Sequence, residues 1–134
     1  MQDNNSDESK YKKILLCDDN VLNRKLVVAM LTGSPYRVRE VASGQEALVC
    51  LFEERQLFDL ILLDINMIGM SGVEVCRAIR NSEQDKLCSV PVLAYTAHAL
   101  ETERDSYVSC GFNDILAKPI LRDDLFNALR THLK

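Results

Sequence analysis

The stretches ILLCDDN (residues 14–20) and LILLDIN (residues 60–66) each begin with an apolar run of four residues that is followed directly by one or two acids. Runs without alternating polar residues are typical of parallel strands that helices cover on both faces. The carboxyl ends of neighbouring parallel strands meet at one edge of a sheet, so we expect Asp18, Asp19 and Asp64 to lie together there. Crowded carboxylates repel one another unless a hard cation lies among them, and Mg²⁺ is the natural candidate. Because Mg²⁺ keeps ligand positions for water or phosphate, the pattern indicates phosphoryl chemistry.

The rest of the chain repeats a strand-then-helix pattern. Strands are predicted at 13–17, 36–41, 60–63, 91–95 and 114–117, and helices are predicted to begin near residues 20, 43, 71, 100 and 123. The second strand alternates between polar and apolar residues, which is typical of an edge strand. We therefore predict an α/β fold of the flavodoxin-like, doubly wound type, with a five-stranded parallel sheet in the order 2-1-3-4-5 and five helices.

Two local signals describe the helices. Ser43 and Ser71 are each followed three residues later by a glutamate, the capping-box pattern that begins a helix. The helix near residue 100 has the weakest apolar stripe. The predicted apolar face of the first helix carries Leu22, Leu26, Ala29, Met30 and Gly33.

Composition limits the class of protein. The 134 residues are 47% hydrophobic and 27% charged, which is ordinary for one globular domain. We predict a disordered tail at residues 1–10, which have little to bury, and one domain at 11–134. A net charge of −4 argues against a nucleic-acid surface, and no apolar run is long enough for membrane insertion. The sequence shows no signal-peptide region, so a cytoplasmic location is expected, and the five widely spaced cysteines form no disulfide framework.

Two further polar residues follow strands of the predicted sheet. Thr96 follows the fourth strand and Lys118 follows the fifth, so both are expected at the edge that holds the three acids. An ammonium can neutralise a transferring phosphoryl group, and a hydroxyl can hydrogen-bond one of its oxygens. Asp64 is the predicted nucleophile because it ends the central strand, between the acidic pair and the two later residues.

Each of these residues also has an ordinary structural explanation. Asp19 or Asn20 is a common helix N-cap and Asp64 a common turn residue. Thr96 is a common strand residue, and Lys118 would be an ordinary solvated charge. Taken singly, the structural explanation is favoured every time. Taken together, all of them would have to fall at one edge in the right order, and this favours a functional site.

These residues, in this order and over nearly the whole chain, resemble the receiver domain of two-component response regulators. The resemblance implies that Asp64 takes a phosphoryl group from a phosphohistidine on a histidine kinase or a histidine phosphotransfer protein. It also implies that Mg²⁺ is held by Asp19, Asp64 and the backbone carbonyl of Asn66, with Asp18 acting partly through water. A cis Lys118-Pro119 bond is implied as well.

Finer motifs point to one branch of this family. The stretches DDNVLNR (residues 18–24) and YTAHA (residues 95–99) resemble most closely the receivers of hybrid sensor kinases. His98 is a candidate for influencing dephosphorylation. Two positions depart from the family pattern: Ile68 replaces a usual proline, and Ile115 replaces the aromatic residue that swings inward on activation.

Other classes fit less well. A flavodoxin-like cofactor binder needs a phosphate cradle after the first strand, where this chain has acids. An aspartate-nucleophile phosphatase uses a second acid two residues past the nucleophile, where this chain has Asn66. A histidine phosphotransfer module is a helical bundle, and a degenerate scaffold receiver would lack functional side chains that are present here. We therefore predict a signalling domain that catalyses only its own phosphorylation and dephosphorylation and acts on a downstream effector protein.

Overall fold

A computed structural model describes residues 10–97, 99 and 101–133, apart from the side chains of Glu101 and Thr102. Residues 1–9, most of the predicted tail, lie outside the described part. Five strands form one parallel sheet in the order β2-β1-β3-β4-β5, as predicted. They are β1 (Lys12–Cys17), β2 (Tyr36–Val41), β3 (Leu60–Asp64), β4 (Val92–Thr96) and β5 (Asp114–Ala117).

Six α-helices lie in the described part of the chain, one more than predicted. They are α1 (Val21–Leu31), α2 (Gly44–Leu48), α3 (Gly72–Arg80), α4 (Asp85–Cys88), α5 (Glu101–Ser109) and α6 (Arg122–His132). The additional helix is the single turn α4, in a stretch where the sequence predicts only a polar loop. It forms around Leu87, whose side chain is buried. The second predicted helix continues past α2 as a π-helical turn, Val49–Glu53.

Helices cover the sheet on both faces. One apolar cluster joins alternate residues of the central strands, such as Leu15, Leu63 and Ala94, with the α2–α3 side. The other joins Leu16 and Leu62 with residues of α1 and α6. Every residue of β3 is buried, whereas only Val41 of the edge strand β2 is. This two-sided core confirms the doubly wound architecture.

The predicted apolar face of α1 is wrong. The buried residues of this helix are Val27 and Leu31, which pack against the β1 side of the core. Leu22 is instead 69% exposed and Leu26 is 53% exposed. The sequence carries apolar residues on two faces of this helix, and the sheet covers only one of them.

Side-chain caps fix where the helices begin. Asn20 caps α1 by accepting a hydrogen bond from the Asn23 amide at 3.0 Å. Ser43 and Ser71 cap α2 and α3 as predicted, each accepting from the amide of the glutamate three residues later. The Asn20 cap sets the turn directly after the acidic pair, so it helps to position the site. None of the described helices has both the length and the apolar character to cross a membrane.

Candidate functional site

Three carboxylates gather at the carboxyl edge of the sheet, as the sequence predicts. One oxygen from each of Asp18, Asp19 and Asp64 lies within 4.8 Å of the others. Asp18 and Asp64 are buried, and Asp19 is exposed. Asp18 directly follows β1 and Asp64 is the last residue of β3, so the strands fix these two acids, while Asp19 faces the solvent.

Asp64 is held from two sides. The Lys118 ammonium lies 3.0 Å from its Oδ1, and the Asn66 amide donates to the same oxygen at 3.1 Å. Its side chain is only 1% exposed. Burial raises the pKa of Asp64 from 3.8 to about 6, the hydrogen bond from Lys118 opposes this rise, and the Asp18 carboxylate adds to it. The carboxylate is therefore poorly solvated and depends on neighbouring cations for its charge.

Thr96 and Lys118 lie at the ends of adjacent strands. Thr96 is buried, and the Asn66 side-chain amide lies 3.5 Å from its hydroxyl oxygen. The Lys118 amide donates to the Thr96 carbonyl at 2.9 Å, which joins the ends of β4 and β5. The Lys118-Pro119 bond is cis, which confirms that expectation. A hydroxyl and an ammonium thus lie beside the acids.

Asp18 is anchored more firmly than its sequence position suggests. Its Oδ1 accepts from the Asn20 amide at 2.9 Å, and its Oδ2 accepts from the Tyr95 hydroxyl. Its backbone carbonyl accepts from Arg24 Nη1 at 2.7 Å. Burial and the hydrogen bond to Asp18 raise the pKa of the Tyr95 phenol, so Tyr95 is a protonated donor at neutral pH.

Asp19 joins two loops of the site. Its Oδ2 accepts from the Ile68 amide at 3.0 Å, so the turn after β1 is tied to the loop after β3. The Ile68 side chain itself is 89% exposed. Isoleucine, unlike proline, has a backbone N–H, and Asp19 accepts a hydrogen bond from it.

A glycine allows the third helix to approach the acceptor. A Cβ atom at Gly72 would lie 2.4 Å from the Asp64 carbonyl oxygen and 2.9 Å from Ile65 Cα. The Gly72 amide donates to the Ile65 carbonyl at 2.9 Å. Only glycine fits this close contact, so it helps to set the backbone position of Asp64. Sequence reasoning missed this residue, although its place beside the capping serine Ser71 was a possible signal.

The donor set fits Mg²⁺. Hard divalent cations prefer carboxylate and carbonyl oxygens, and three carboxylates converge here with a Lys118 ammonium beside them. The backbone carbonyl of Asn66 follows in the loop after Asp64. These residues would hold the ion that the sequence predicts.

Three other residues that the sequence singles out lie outside this cluster of charged groups or outside the described residues. Cys17 donates its thiol to the Ser43 carbonyl, and burial together with Asp18 raises the pKa of this thiol to about 12. It is therefore an inert core residue. Ile115 is buried beneath the α3–α5 side of the sheet, on the face opposite to Tyr95. His98, the candidate for influencing dephosphorylation, lies outside the described residues.

Comparison with known proteins gives a consistent family. The model of the response regulator receiver domain matches residues 14–130. The chain is 36% identical over 126 residues to the signal transduction histidine-protein kinase BarA of Escherichia coli (strain K12), which covers 92% of this chain and 13% of that protein. It is 32% identical over 125 residues to hybrid signal transduction histidine kinase I of Dictyostelium discoideum, covering 91% of this chain and 7% of that protein. The chain thus spans only a small part of these curated relatives.

Solved structures agree with the fold. The receiver domain of a sensor histidine kinase from Pseudomonas aeruginosa PAO1 has a TM-score of 0.81 and 37% identity, covering 92% of this chain and 98% of that one. That structure holds a magnesium ion coordinated in its active site cleft. The chemotaxis protein CheY4 of Vibrio cholerae has a TM-score of 0.82 and 29% identity, covering 92% of this chain and 99% of that one.

Proposed function

The chain belongs to the response regulator receiver domain family, whose function is to accept a phosphoryl group, and we propose that Asp64 is the accepting residue here. The observation that carries this proposal is the Lys118 ammonium 3.0 Å from a buried carboxylate that also lies among two other acids. An ordinary structural explanation exists for each residue singly, but the close approach of all of these groups at one edge favours a functional site.

The chemistry follows from this arrangement. A carboxylate oxygen of Asp64 attacks the phosphorus of a phosphohistidine, and an O–P bond forms as the P–N bond breaks. The electron pair returns to the imidazole nitrogen. Lys118 neutralises charge on the transferring group, and the Thr96 hydroxyl donates to one of its oxygens. In dephosphorylation, water attacks the phosphorus and the O–P bond to Asp64 breaks. The Asp64 carboxylate is restored, and inorganic phosphate leaves.

We assign the metal site to Asp18, Asp19, Asp64 and the Asn66 carbonyl. A bound Mg²⁺ supplies charge neutralisation for the phosphoryl oxygens. Asp19 is the exposed carboxylate and is placed to ligate directly, whereas both oxygens of Asp18 already accept hydrogen bonds from the protein. Asp18 therefore acts through water. The magnesium-bearing neighbour supports the choice of ion.

The partner that delivers the phosphoryl group needs a surface beside the site. Exposed apolar side chains provide one, and we call them the acceptor rim: Val21, Leu22, Leu26, Ile68 and Leu121. Leu26 shares a small cleft with Lys118 and Ile120, and the Ile68 amide bonds Asp19, so the rim borders the acids. We propose that a histidine kinase or histidine phosphotransfer protein docks on this rim. Output would then pass to a downstream effector protein.

A double variant tests the docking role of the acceptor rim independently of the phosphorylation chemistry. Replacing Leu22 and Leu26 together by serine should leave phosphorylation by acetyl phosphate unchanged. The same variant should receive the phosphoryl group more slowly from a phosphorylated histidine phosphotransfer domain that modifies the native protein. Equal rates from the protein donor would exclude this rim as the docking surface.

We also propose that the domain functions in the cytoplasm. All five cysteines are free thiols, and three of them are buried. Free thiols are usual where the compartment is kept reducing. The thiol content supports this location.

Intact mass spectrometry tests the acceptor directly. The protein is incubated with acetyl phosphate and Mg²⁺, and we expect the mass of one phosphoryl group. Asp64→Asn should gain none, and Asp19→Ala should gain less while its Mg²⁺ affinity falls. An Asp64→Asn protein that is modified as fully as the native one would exclude Asp64 as the acceptor.

A further inference from the structure

Tyr95 occupies an unusual position among the core residues. It lies on β4 opposite Asp64 in the register of β3 and β4, and its side chain is 1% exposed. Its hydroxyl donates to Oδ2 of Asp18, an acid that follows β1, two strands away. The side chain therefore passes across the end of β3, beside the acceptor.

The ring of Tyr95 has a second charged neighbour. The Lys118 ammonium lies 4.9 Å from the ring centroid, within the range of a cation–π contact. The same ammonium lies 3.0 Å from Asp64 Oδ1. Tyr95 thus contacts both charged groups that flank the acceptor. Its hydroxyl contacts the Asp18 carboxylate, and its ring contacts the Lys118 ammonium.

We propose that Tyr95 is a positioning residue for the phosphoacceptor site. Its hydroxyl fixes the Asp18 carboxylate, and its ring supports the Lys118 ammonium beside Asp64. This inference rests on the proposed function, in which Asp64 accepts the phosphoryl group and the acids hold Mg²⁺.

The effect on Asp18 follows from its two hydrogen bonds. The Asn20 amide occupies Oδ1 and the Tyr95 hydroxyl occupies Oδ2, so the carboxylate has one orientation before any ion binds. Groups that orient metal ligands in this way typically change metal affinity by about tenfold or more. Without the hydroxyl, the buried carboxylate would lose a partner and its fixed orientation.

The effect on Lys118 is different in kind. A lysine side chain has many rotamers, and holding it in one of them costs entropy. The ring face, on which the ammonium is attracted by the π electrons, restricts Lys118 to the side of Asp64. Phenylalanine preserves this face without the hydroxyl, whereas leucine removes both. Two variants therefore separate the two contacts.

The experiment compares Tyr95→Phe and Tyr95→Leu with Tyr107→Phe, which removes the hydroxyl of a tyrosine that packs against Phe112 on the opposite face of the sheet. Mg²⁺ affinity is measured by calorimetric titration of the unphosphorylated proteins. The position of Lys118 is followed by the NMR shifts of its side-chain methylene groups, which a nearby ring displaces. The rate of phosphorylation by acetyl phosphate is measured as a function of Mg²⁺ concentration.

We expect Tyr95→Phe to weaken Mg²⁺ binding by about tenfold and to keep the Lys118 shifts. Its phosphorylation rate should recover at saturating Mg²⁺. Tyr95→Leu should weaken Mg²⁺ binding and also move the Lys118 shifts, and its rate should stay low at saturating Mg²⁺. Tyr107→Phe should match the native protein in all three measurements.

A double-mutant cycle distinguishes positioning from general loss of packing. In an Asp18→Ala background the hydroxyl has no carboxylate to fix, so adding Tyr95→Phe should not weaken Mg²⁺ binding further. Equal Mg²⁺ affinity of the native protein and a folded Tyr95→Phe would overturn the role of the hydroxyl. Unchanged Lys118 shifts in Tyr95→Leu would overturn the role of the ring. If the native protein bound Mg²⁺ but took no phosphoryl group on Asp64, the proposed function would fail while both of these comparisons still stood.

Discussion

At the scale of single residues, the burial of Asp64 works against the stability of the fold. The pKa of Asp64 in the folded protein is about 6, above the ordinary value of 3.8 for an unperturbed aspartate. The folded state therefore binds more protons than the unfolded state between these values, and stability falls as pH rises through this window. Above pH 6 the cost is fully present. We expect Asp64→Asn to stabilise the Mg²⁺-free protein at pH 7.5 by about 1–3 kcal/mol.

Urea unfolding in the presence of a chelator measures this effect. The gain from Asp64→Asn should shrink at pH 4.5, where the native carboxyl is mostly protonated when folded. Asp105→Asn, at an exposed position on α5, should show no comparable gain at either pH. A gain that is equal at pH 7.5 and pH 4.5 would contradict a raised pKa as its cause.

The meeting of Asp18, Asp19, Asp64, Thr96 and Lys118 at one edge could be predicted from the sequence because each lies at the end of a strand or just past it. Strand ends are visible as breaks in apolar runs, and parallel pairing brings them to one edge. The roles of Tyr95 and Gly72 could not be predicted in the same way. The Tyr95 contact crosses two strand spacings, and the Gly72 contact depends on how closely α3 approaches β3. Both are distances that no sequence spacing encodes.

At the scale of elements, α1 shows why a helix can be predicted correctly while its buried face is predicted wrongly. Its sequence VLNRKLVVAML has apolar residues on more than one side, so periodicity alone does not select the buried stripe. The sheet covers Val27 and Leu31, and the other stripe remains exposed as part of the acceptor rim. The misplaced face is thus the one that the proposed function uses.

Arg80 joins the end of α3 to two other parts of the fold. Its guanidinium donates to the carbonyls of Gly111, Cys88 and Val90 and to the Asn113 side chain, at 2.6–2.9 Å. It ties the end of α3 to the approach of β4 and to the turn before β5. Removing it leaves several carbonyls unpaired, so we expect Arg80→Ala to destabilise the protein by about 2–4 kcal/mol.

The same helix offers a matched control for this prediction. Arg77 lies on the exposed side of α3, and Arg77→Ala should change stability by less than about 0.5 kcal/mol. Arg80→Lys should recover only part of the loss, because an ammonium lacks the planar fork of five donors. Chemical unfolding of the three variants gives the comparison. Similar stabilities for Arg80→Ala and Arg77→Ala would show that these hydrogen bonds contribute little.

At the scale of the whole molecule, two features bear on how phosphorylation would reach the surface. Ile115 is buried and branched, so it cannot swing a ring into the space that Thr96 would leave on moving toward a phosphoryl group. Tyr95 lies on the opposite face of the sheet and cannot fill this space either. By contrast, α5 is tied to β5 through Arg104, which lies 3.5 Å from the Asp114 carboxylate and 3.3 Å from the Ile115 carbonyl. These partly exposed contacts are weak enough to exchange.

We therefore expect the signal to travel through the segment from β4 to α5. Backbone and methyl NMR spectra, recorded with Mg²⁺ before and after addition of beryllofluoride as a phosphoryl mimic, should show their largest changes at residues 96–108. The Ile115 methyl groups should change little, because a buried β-branched side chain is stiff at χ1 and cannot swing into the space that a moving Thr96 would leave. Asp64→Asn, treated in the same way, should show neither set of changes. The opposite result would be shift changes centred on Ile115 with none at residues 96–108. It would show that Ile115 itself carries the switch, through repacking of the core beside β5 rather than displacement of α5.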